Sequence, residues 1–152
     1  MDKSLTENAN AVVRLDEMKI HLTATDQMTY SVKEVVTVLN RLGNAYARKR
    51  VFYDKEKKIK NIEAFVYDDS GNEIDHIKRK DFHDVSAVDG FSLYVDDRLL
   101  YYKYTPIQYP YTIEFIYDVQ TSDTGIFPRW YFLPGYLTSL EKSTYSVTYN
   151  SE

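Results

Sequence analysis

The stretch Tyr111-Thr112-Ile113-Glu114-Phe115-Ile116-Tyr117-Asp118-Val119-Gln120 decides the fold class of this chain. Its odd positions are all apolar or aromatic, and its even positions are polar apart from Ile116. Because successive side chains of a strand point to opposite faces, this pattern predicts a strand with one face on a core and the other toward solvent. Near the end of the chain, Tyr145, Val147 and Tyr149 alternate with polar residues in the same way.

The opening of the chain predicts a long hairpin. Its arms are residues 13–22 and 28–38, its turn is residues 25–27, and a change of apolar parity near Asp16-Glu17 indicates a bulge. Apolar residues of the second arm also fit helical spacing. We predict a strand there, because the five Val or Thr residues between Val32 and Val38 are restricted at χ1 and disfavour a helix.

Turn signals recur at short intervals along the rest of the chain, and no helix–strand alternation is present. The pattern predicts strands at 47–53, 59–67, 73–77 and 98–105. It predicts turns at 40–44 and 68–72. An irregular connection is expected at 81–90. This organisation is typical of an all-β antiparallel sandwich or open barrel with little or no helix. We expect residues 1–8 to be a flexible lead-in and residues 9–150 to form a single domain.

Composition excludes several classes of function. The formal net charge is −4, with 19 basic and 23 acidic residues, so no broad cationic face is expected for nucleic acid. Cysteine is absent, which removes disulfides, thiolate nucleophiles and Cys-type zinc sites. No apolar run is long enough for a membrane span, and the first residues lack the layout of a signal peptide. The chain is therefore either cytosolic, or exported with its signal removed.

Several short segments together resemble one uncharacterised domain family. They are Leu39-Asn40-Arg41-Leu42-Gly43, Val51-Phe52-Tyr53-Asp54, Ile59-Lys60-Asn61-Ile62-Glu63-Ala64, Asp69-Ser70-Gly71, Ser92-Leu93-Tyr94-Val95-Asp96-Asp97-Arg98, Tyr111-Thr112-Ile113-Glu114-Phe115 and Ser139-Leu140-Glu141-Lys142-Ser143-Thr144-Tyr145. The family is a domain of unknown function that precedes transglutaminase-like domains in exported proteins of Gram-negative bacteria. The resemblance covers roughly residues 9–150. It departs at Tyr109-Pro110, where such domains usually carry a glycine.

The resemblance implies a β-sandwich, export across the inner membrane, and a papain-like Cys-His-Asp domain downstream in the parent protein. Because this chain has no cysteine, the chemistry of that neighbour is not carried onto any residue here.

No catalytic or metal motif is evident in the sequence. The histidines are His21, His76 and His83, and none lies near a nucleophile elbow, so we expect no catalytic residue. The segment 75–84 contains possible metal ligands but lacks the spacing of a calcium loop, and a solvated charged loop is the preferred interpretation. Asp96 and Asp97 are adjacent, so on a strand their carboxylates would diverge; a turn or an ion pair with Arg98 accounts for them better. We expect no cofactor.

An aromatic cluster is the one feature that predicts binding. Its candidate residues are Tyr101, Tyr102, Tyr104, Tyr109, Tyr111, Trp130 and Tyr131, with Phe127, Phe132 and Tyr136 close in sequence. Exposed aromatic faces would offer a platform for sugar rings or a protein surface. Burial is nevertheless the favoured interpretation, because strand alternation would place about half of these rings in the core and the 128–134 segment would be pinned at the core edge.

The resemblance, together with the missing nucleophile, thus implies a non-catalytic accessory domain that packs against a downstream catalytic domain of the same chain. The expected location is the periplasm or cell envelope, with neither a nucleic-acid partner nor a membrane span. The alternative is a module that binds carbohydrate, peptidoglycan or a peptide through the exposed aromatic residues.

Overall fold

The computed structural model describes residues 1–87, 96–131 and 134–150, and these form two packed β-sheets. The strands are β1 (Ala11–Ala24), β2 (Gln27–Val38), β3 (Arg48–Tyr53), β4 (Lys57–Tyr67), β5 (Glu73–Lys78), β6 (His83–Ser86), β7 (Arg98–Lys103), β8 (Tyr111–Thr121), β9 (Thr138–Leu140) and β10 (Ser143–Tyr149). The helical segments are a short α-helix, Lys3–Thr6, and two 3₁₀ helices, Arg41–Ala47 and Arg79–Asp81. The all-β sandwich is thereby confirmed.

The larger sheet has the order β10-β1-β2-β8-β4-β5, with β9 also paired to β1, and the smaller sheet has the order β3-β7-β6. Strand β8 lies at the centre of the larger sheet, between β2 and β4. The alternation that decided the fold class appears as alternating burial along β8. Its inward side chains Tyr111, Ile113, Phe115 and Val119 are at most 1% exposed. These side chains face the smaller sheet, whose Val51 and Leu100 complete the core.

The first hairpin forms as predicted, and its second arm is a strand. A shift in the pairing of β1 with β2 lies between Val13 and Leu15, two residues before the predicted bulge. The extra residue changes the parity of β1, so that Ala11 and Val13 before the shift and Ile20 after it all lie in the core.

Two strands form parallel pairs, which a purely antiparallel sandwich would lack. Strands β9 and β10 both run parallel to β1. Strand β8 also runs in the direction of β1, because each is antiparallel to β2. The segment 122–137 must therefore return along the length of the sheet before β10 begins, and this geometry determines where its aromatic residues lie.

Three local predictions differ from the structure. The connection at 81–90 was expected to be irregular, but residues 83–86 form edge strand β6, and residues 88–90 lie outside the described part of the chain. The turn at 40–44 opens a 3₁₀ helix, in which the Asn40 side chain accepts a hydrogen bond from the Leu42 backbone N–H at 2.9 Å. The lead-in 1–8 contains one helical turn, with Asp2 as its N-cap.

Candidate functional site

The seven predicted aromatic residues do not form one surface. Tyr104 and Tyr111 are 8% and 1% exposed, and their rings lie 5.2 Å apart in the core. The Tyr111 hydroxyl donates a hydrogen bond to Asn44 Oδ1 at 3.2 Å. Burial raises the pKa of Tyr111, because the phenolate would be poorly solvated there. These two candidate residues therefore lie in the core, as the burial interpretation expects, and provide no binding platform.

Tyr101 and Tyr102 are neighbours on β7, so they point to opposite faces of the smaller sheet. Tyr102 turns inward and packs on Phe82, with ring centroids 5.4 Å apart. Tyr101 turns outward and stacks on His83 at 4.9 Å. Tyr109 precedes β8 and is 38% exposed, and its hydroxyl accepts a hydrogen bond from Asn44 Nδ2 at 2.6 Å. Of these three tyrosines, Tyr101 and Tyr109 remain accessible to a binding partner.

Trp130 and Tyr131 lie in the returning segment and are 40% and 69% exposed. The Trp130 ring lies 5.7 Å from the Tyr145 ring, and its Nε1 donates a hydrogen bond to Ser143 Oγ at 2.9 Å. The Tyr145 hydroxyl donates in turn to the Pro128 carbonyl at 3.1 Å. Trp130 is thus fastened at the core edge as expected, whereas Phe132 lies outside the described residues.

The returning segment presents a surface of exposed apolar and aromatic side chains, which we call the loop surface. Its members are Ile126, Phe127, Trp130, Tyr131, Tyr136 and Leu137. Tyr136 is 96% exposed, while its backbone carbonyl accepts a hydrogen bond from the Tyr46 hydroxyl at 3.3 Å. The side chains are therefore open to solvent on a backbone that is held to the sandwich.

A cleft of about 500 Å³ lies between the loop surface and the inner face of the larger sheet. It is lined by Val13, Asp16, Glu34, Tyr46, Tyr131, Pro134 and Leu140. Its two carboxylates belong to directly paired residues of β1 and β2. The cleft thus combines aromatic walls with two acidic groups on its floor.

Lys49 of β3 compensates the two carboxylates. Its ammonium forms an ion pair with Glu34 and lies 5.1 Å from the centre of the Tyr117 ring, and its side chain is only 14% exposed. Burial opposes the charge of Lys49, but the combined effects of Glu34, Tyr117 and Asp16 outweigh it and raise the lysine pKa above its ordinary value. Burial and the charge of Glu34 also raise the pKa of Asp16, against the opposing effect of Lys49.

Sequence reasoning missed this charged cluster, although a signal for it was present. Asp16 and Glu34 have the inward parity of strands whose other inward residues are apolar, as Val32 and Val36 show on β2. A charge at such a position is rare unless it is paired, so both residues could have been predicted to have a buried cationic partner.

Several possible metal ligands of the 75–84 segment are engaged with protein groups. His76 Nε2 lies 3.0 Å from Glu63 Oε2, and Asp81 accepts from the Lys78 backbone N–H at 2.9 Å. Asp84 accepts from Arg98 at 2.9 Å, so Arg98 pairs with Asp84 rather than with Asp96 or Asp97. Across the described parts of the chain, no group of three or more His, Asp or Glu side chains could hold a metal ion.

His21 forms the one histidine contact that resembles a catalytic pair. Its Nδ1 lies 2.9 Å from Thr148 Oγ1. The Thr148 hydroxyl also lies 3.2 Å from the Ile20 carbonyl, which accepts a hydrogen bond from it. Both contacts join β1 to β10, in which His21 and Thr148 are directly paired.

The outward side of the smaller sheet forms a second exposed face. Cross-strand pairing places its residues in rows: Phe52, Leu99 and Val85, then Arg50, Tyr101 and His83, then Arg48 and Lys103. Phe52 is 53% exposed and Val85 39%. We call this the outer face.

A comparison with protein families decides where this chain belongs. The family described as "Domain of Unknown Function with solved-structure structure", DUF3857, matches residues 24–152. The chain is a DUF3857 domain. No curated protein has a sequence significantly similar to this DUF3857 domain. None of the helices among its described residues is long and apolar enough to cross a membrane.

Solved structures show where the same fold recurs. A candidate protease from Parabacteroides distasonis ATCC 8503 superposes with a TM-score of 0.61 at 16% identity, over 74% of this chain and 23% of that one. The DUF3857 domain thus spans less than a quarter of that protein. An M1 zinc metallopeptidase from Deinococcus radiodurans matches with a TM-score of 0.33 at 9% identity, over 77% and 22% of the chains. The CBM3a-L domain of scaffoldin CipA from Clostridium thermocellum has a TM-score of 0.33 at 11% identity, over 76% and 69%. Of these three, the first indicates a shared fold.

Proposed function

We propose that this DUF3857 domain is a non-catalytic accessory domain that binds a neighbouring domain of a longer, exported envelope protein. The observation that carries the proposal is the loop surface, with its six exposed apolar and aromatic side chains on one segment. Exposed apolar and aromatic side chains are typical of protein–protein contact sites, where aromatic residues dominate the binding energy.

The loop surface is held in place before any partner binds. The Trp130–Tyr145 contact and the hydrogen bonds from Tyr145 to Pro128 and from Tyr46 to Tyr136 fasten its backbone to the sandwich. A segment that is already ordered loses less conformational entropy on binding, so more of the contact energy contributes to affinity. This arrangement suits a surface that stays docked.

The neighbour that we propose is the transglutaminase-like domain that the family resemblance implies. The likeness to the Parabacteroides protein supports the general arrangement, because there the same fold is one part of a much longer chain. Export is supported by the same resemblance and is compatible with the absence of cysteine. The accessory role is supported by the lack of a nucleophile–base pair among the described side chains that could perform catalysis.

The experiment is a titration of this domain with the separately produced remainder of its native protein, followed by calorimetry. We expect Tyr131→Ser with Tyr136→Ser to weaken binding at least tenfold, because both rings are exposed and available for contact. The control is Ile74→Ser with Ile107→Ser, which removes two exposed apolar side chains outside the loop surface. Absence of binding, or equal losses for the two double variants, would contradict the proposal.

The cleft supports a second candidate function, the binding of a carbohydrate or peptidoglycan fragment. Tyr46 and Tyr131 could stack on a sugar ring, while Asp16 and Glu34 could accept hydrogen bonds from its hydroxyls. A glycan panel tests this directly, with Tyr131→Ala expected to abolish any binding. Tyr102→Ala serves as the control, because the Tyr102 ring packs against Phe82 and not in the cleft.

A further inference from the structure

The outer face of the smaller sheet combines an apolar row with basic rows. Phe52 of β3, Leu99 of β7 and Val85 of β6 are directly paired across the three strands. Two residues further along the strands, Arg50 and Tyr101 are paired. Successive rows on one face of a sheet are separated by about 7 Å, which is twice the rise per residue.

The basic side chains of this face are uncompensated. Arg48, Arg50 and Lys103 are exposed, and none forms an ion pair with any residue that the structure describes. The one acid within β6, Asp84, has the opposite parity and accepts hydrogen bonds from Arg98 and Tyr53 on the inward side. The three strands therefore carry no carboxylate on the outer face, although the whole chain has a net charge of −4.

Tyr101 lies at the centre of the outer face and contacts the neighbouring strand β6. Its ring stacks on His83 with centroids 4.9 Å apart and an interplanar angle of 27°. The side chains around it stand on paired backbone, so the spacing of the basic and apolar rows is preset by the sheet. A preset pattern of charge and apolar area favours a partner with the complementary pattern.

We propose that the outer face docks an acidic, extended protein segment that carries carboxylates opposite Arg48 and Arg50 and an apolar side chain opposite Phe52, Leu99 and Val85. In an extended segment, residues i, i+2 and i+4 lie on one side with the same spacing as the rows. A sequence of the type acid-x-acid-x-apolar thus matches the face. This surface is distinct from the loop surface, and the inference does not depend on the function proposed above.

A protein segment fits this face better than a polyanion or a membrane does. Long-range attraction of nucleic acid or an anionic bilayer depends on the field of the whole molecule, which is negative here. An acidic protein segment needs charge complementarity only over the two basic rows, within a Debye length of about 8 Å. It also covers the apolar row, which a phosphate backbone would leave exposed.

The test uses a fluorescein-labelled peptide containing the sequence Glu-Thr-Asp-Thr-Phe-Thr and fluorescence anisotropy, with binding mapped by backbone amide shifts. We expect saturable binding with shifts concentrated in β3, β6 and β7, weakened at least tenfold by Arg48→Glu with Arg50→Glu. Phe52→Ser should weaken it as well without changing the charge. The matched control is Lys58→Glu with Lys60→Glu, which makes the same charge change at exposed residues of β4.

A peptide with lysine in place of both acids should not bind, and added salt should weaken binding of the acidic peptide. The inference is overturned if the acidic peptide does not bind, if the two double variants lose affinity equally, or if the shifts map elsewhere. It is also overturned if vesicles of phosphatidylglycerol, DNA or a second copy of the chain, rather than the peptide, bind in a manner sensitive to Arg48→Glu and Arg50→Glu.

Discussion

Trp130 packs against Tyr145 with ring centroids 5.7 Å apart and an interplanar angle of 35°. This contact joins the returning segment to edge strand β10, and the indole hydrogen bond to Ser143 lies beside it. Because β10 pairs with β1 along seven residues, the segment is fixed to the most N-terminal strand of the larger sheet. The position of the loop surface therefore depends on a tryptophan that is itself part of that surface.

Replacement of this anchor should destabilise the domain measurably. We expect Trp130→Ala to lower the free energy of unfolding by about 2 kcal/mol, because it removes an aromatic contact and a hydrogen bond. Urea unfolding followed by far-ultraviolet circular dichroism gives this value. Tyr131→Ala is the control, because that ring is 69% exposed and should contribute less than about 0.5 kcal/mol. Equal losses for both variants would mean that Trp130 is no anchor.

Two threonines of β10 should respond in opposite directions to the same substitution. The Thr144 hydroxyl oxygen is buried without a hydrogen-bond partner among the described residues, so Thr144→Val should raise the free energy of unfolding by about 1 kcal/mol. The Thr148 hydroxyl bonds to Ile20 and His21, so Thr148→Val should lower it by a similar amount. Chemical denaturation measures the change in the free energy of unfolding for both variants. A lower value for Thr144→Val would indicate that the Thr144 hydroxyl has a hydrogen-bond partner in the folded protein.

The largely buried ion pair of Lys49 should be costly to break. Lys49→Met leaves Asp16 and Glu34 facing each other without a cation, and we expect a loss of about 3 kcal/mol at neutral pH. Lys33→Met is the matched control, because the Lys33 side chain is 42% exposed in its pair with Glu114 at 2.7 Å and should matter by less than about 1 kcal/mol. Adding Glu34→Gln to Lys49→Met should restore part of the lost free energy of unfolding, which urea unfolding measures. No restoration would exclude carboxylate repulsion as the cause.

Asp16 should make stability fall as pH rises. Its pKa in the folded protein lies above the ordinary value of 3.8, so the folded state binds more protons than the unfolded state between the two values. Asp16→Asn should therefore raise the melting temperature relative to the wild type above that window, with no gain below it. Thermal unfolding at pH 3.5 and pH 7 measures the difference.

Asp68 provides the opposite sign for comparison. Hydrogen bonds from Asn72 lower its pKa below 3.8, so its stabilising effect is present above that value and is lost as pH falls through the folded pKa. Asp68→Asn should lower the melting temperature at pH 7. If Asp16→Asn and Asp68→Asn changed the melting temperature at pH 7 in the same direction, at least one of the two pKa shifts would be wrongly assigned.

The strands were predictable because each carries a local signal that the fold respects. The alternation of β8 and the β-branched residues of β2 reflect a face buried against one core, so a single sequence suffices to place them. Strand β6 was not predictable, because its four residues are all exposed and no apolar periodicity marks them. The parallel pairing of β9 and β10 with β1 joins residues more than 120 positions apart, for which the local pattern contains no information.

The candidate site was predictable only in part. Burial of Tyr111 follows from the same alternation that defined β8, so this candidate residue could have been excluded from a binding surface by the sequence alone. The exposure of Tyr131 depends on the path of an irregular segment, which no periodicity determines. The Asp16–Glu34–Lys49 cluster needs the packing of β3 against the larger sheet, a tertiary contact that individual strand patterns do not specify.

The most direct test of the accessory role places a photo-cross-linking amino acid at position 131 in the native full-length protein, in its own cells. Mass spectrometry then identifies what lies against the loop surface. The account predicts cross-links to a peptide of the same polypeptide C-terminal to position 152, and far fewer from the same probe at position 107. Cross-links confined to glycan fragments, or equal reaction from both positions, would contradict it.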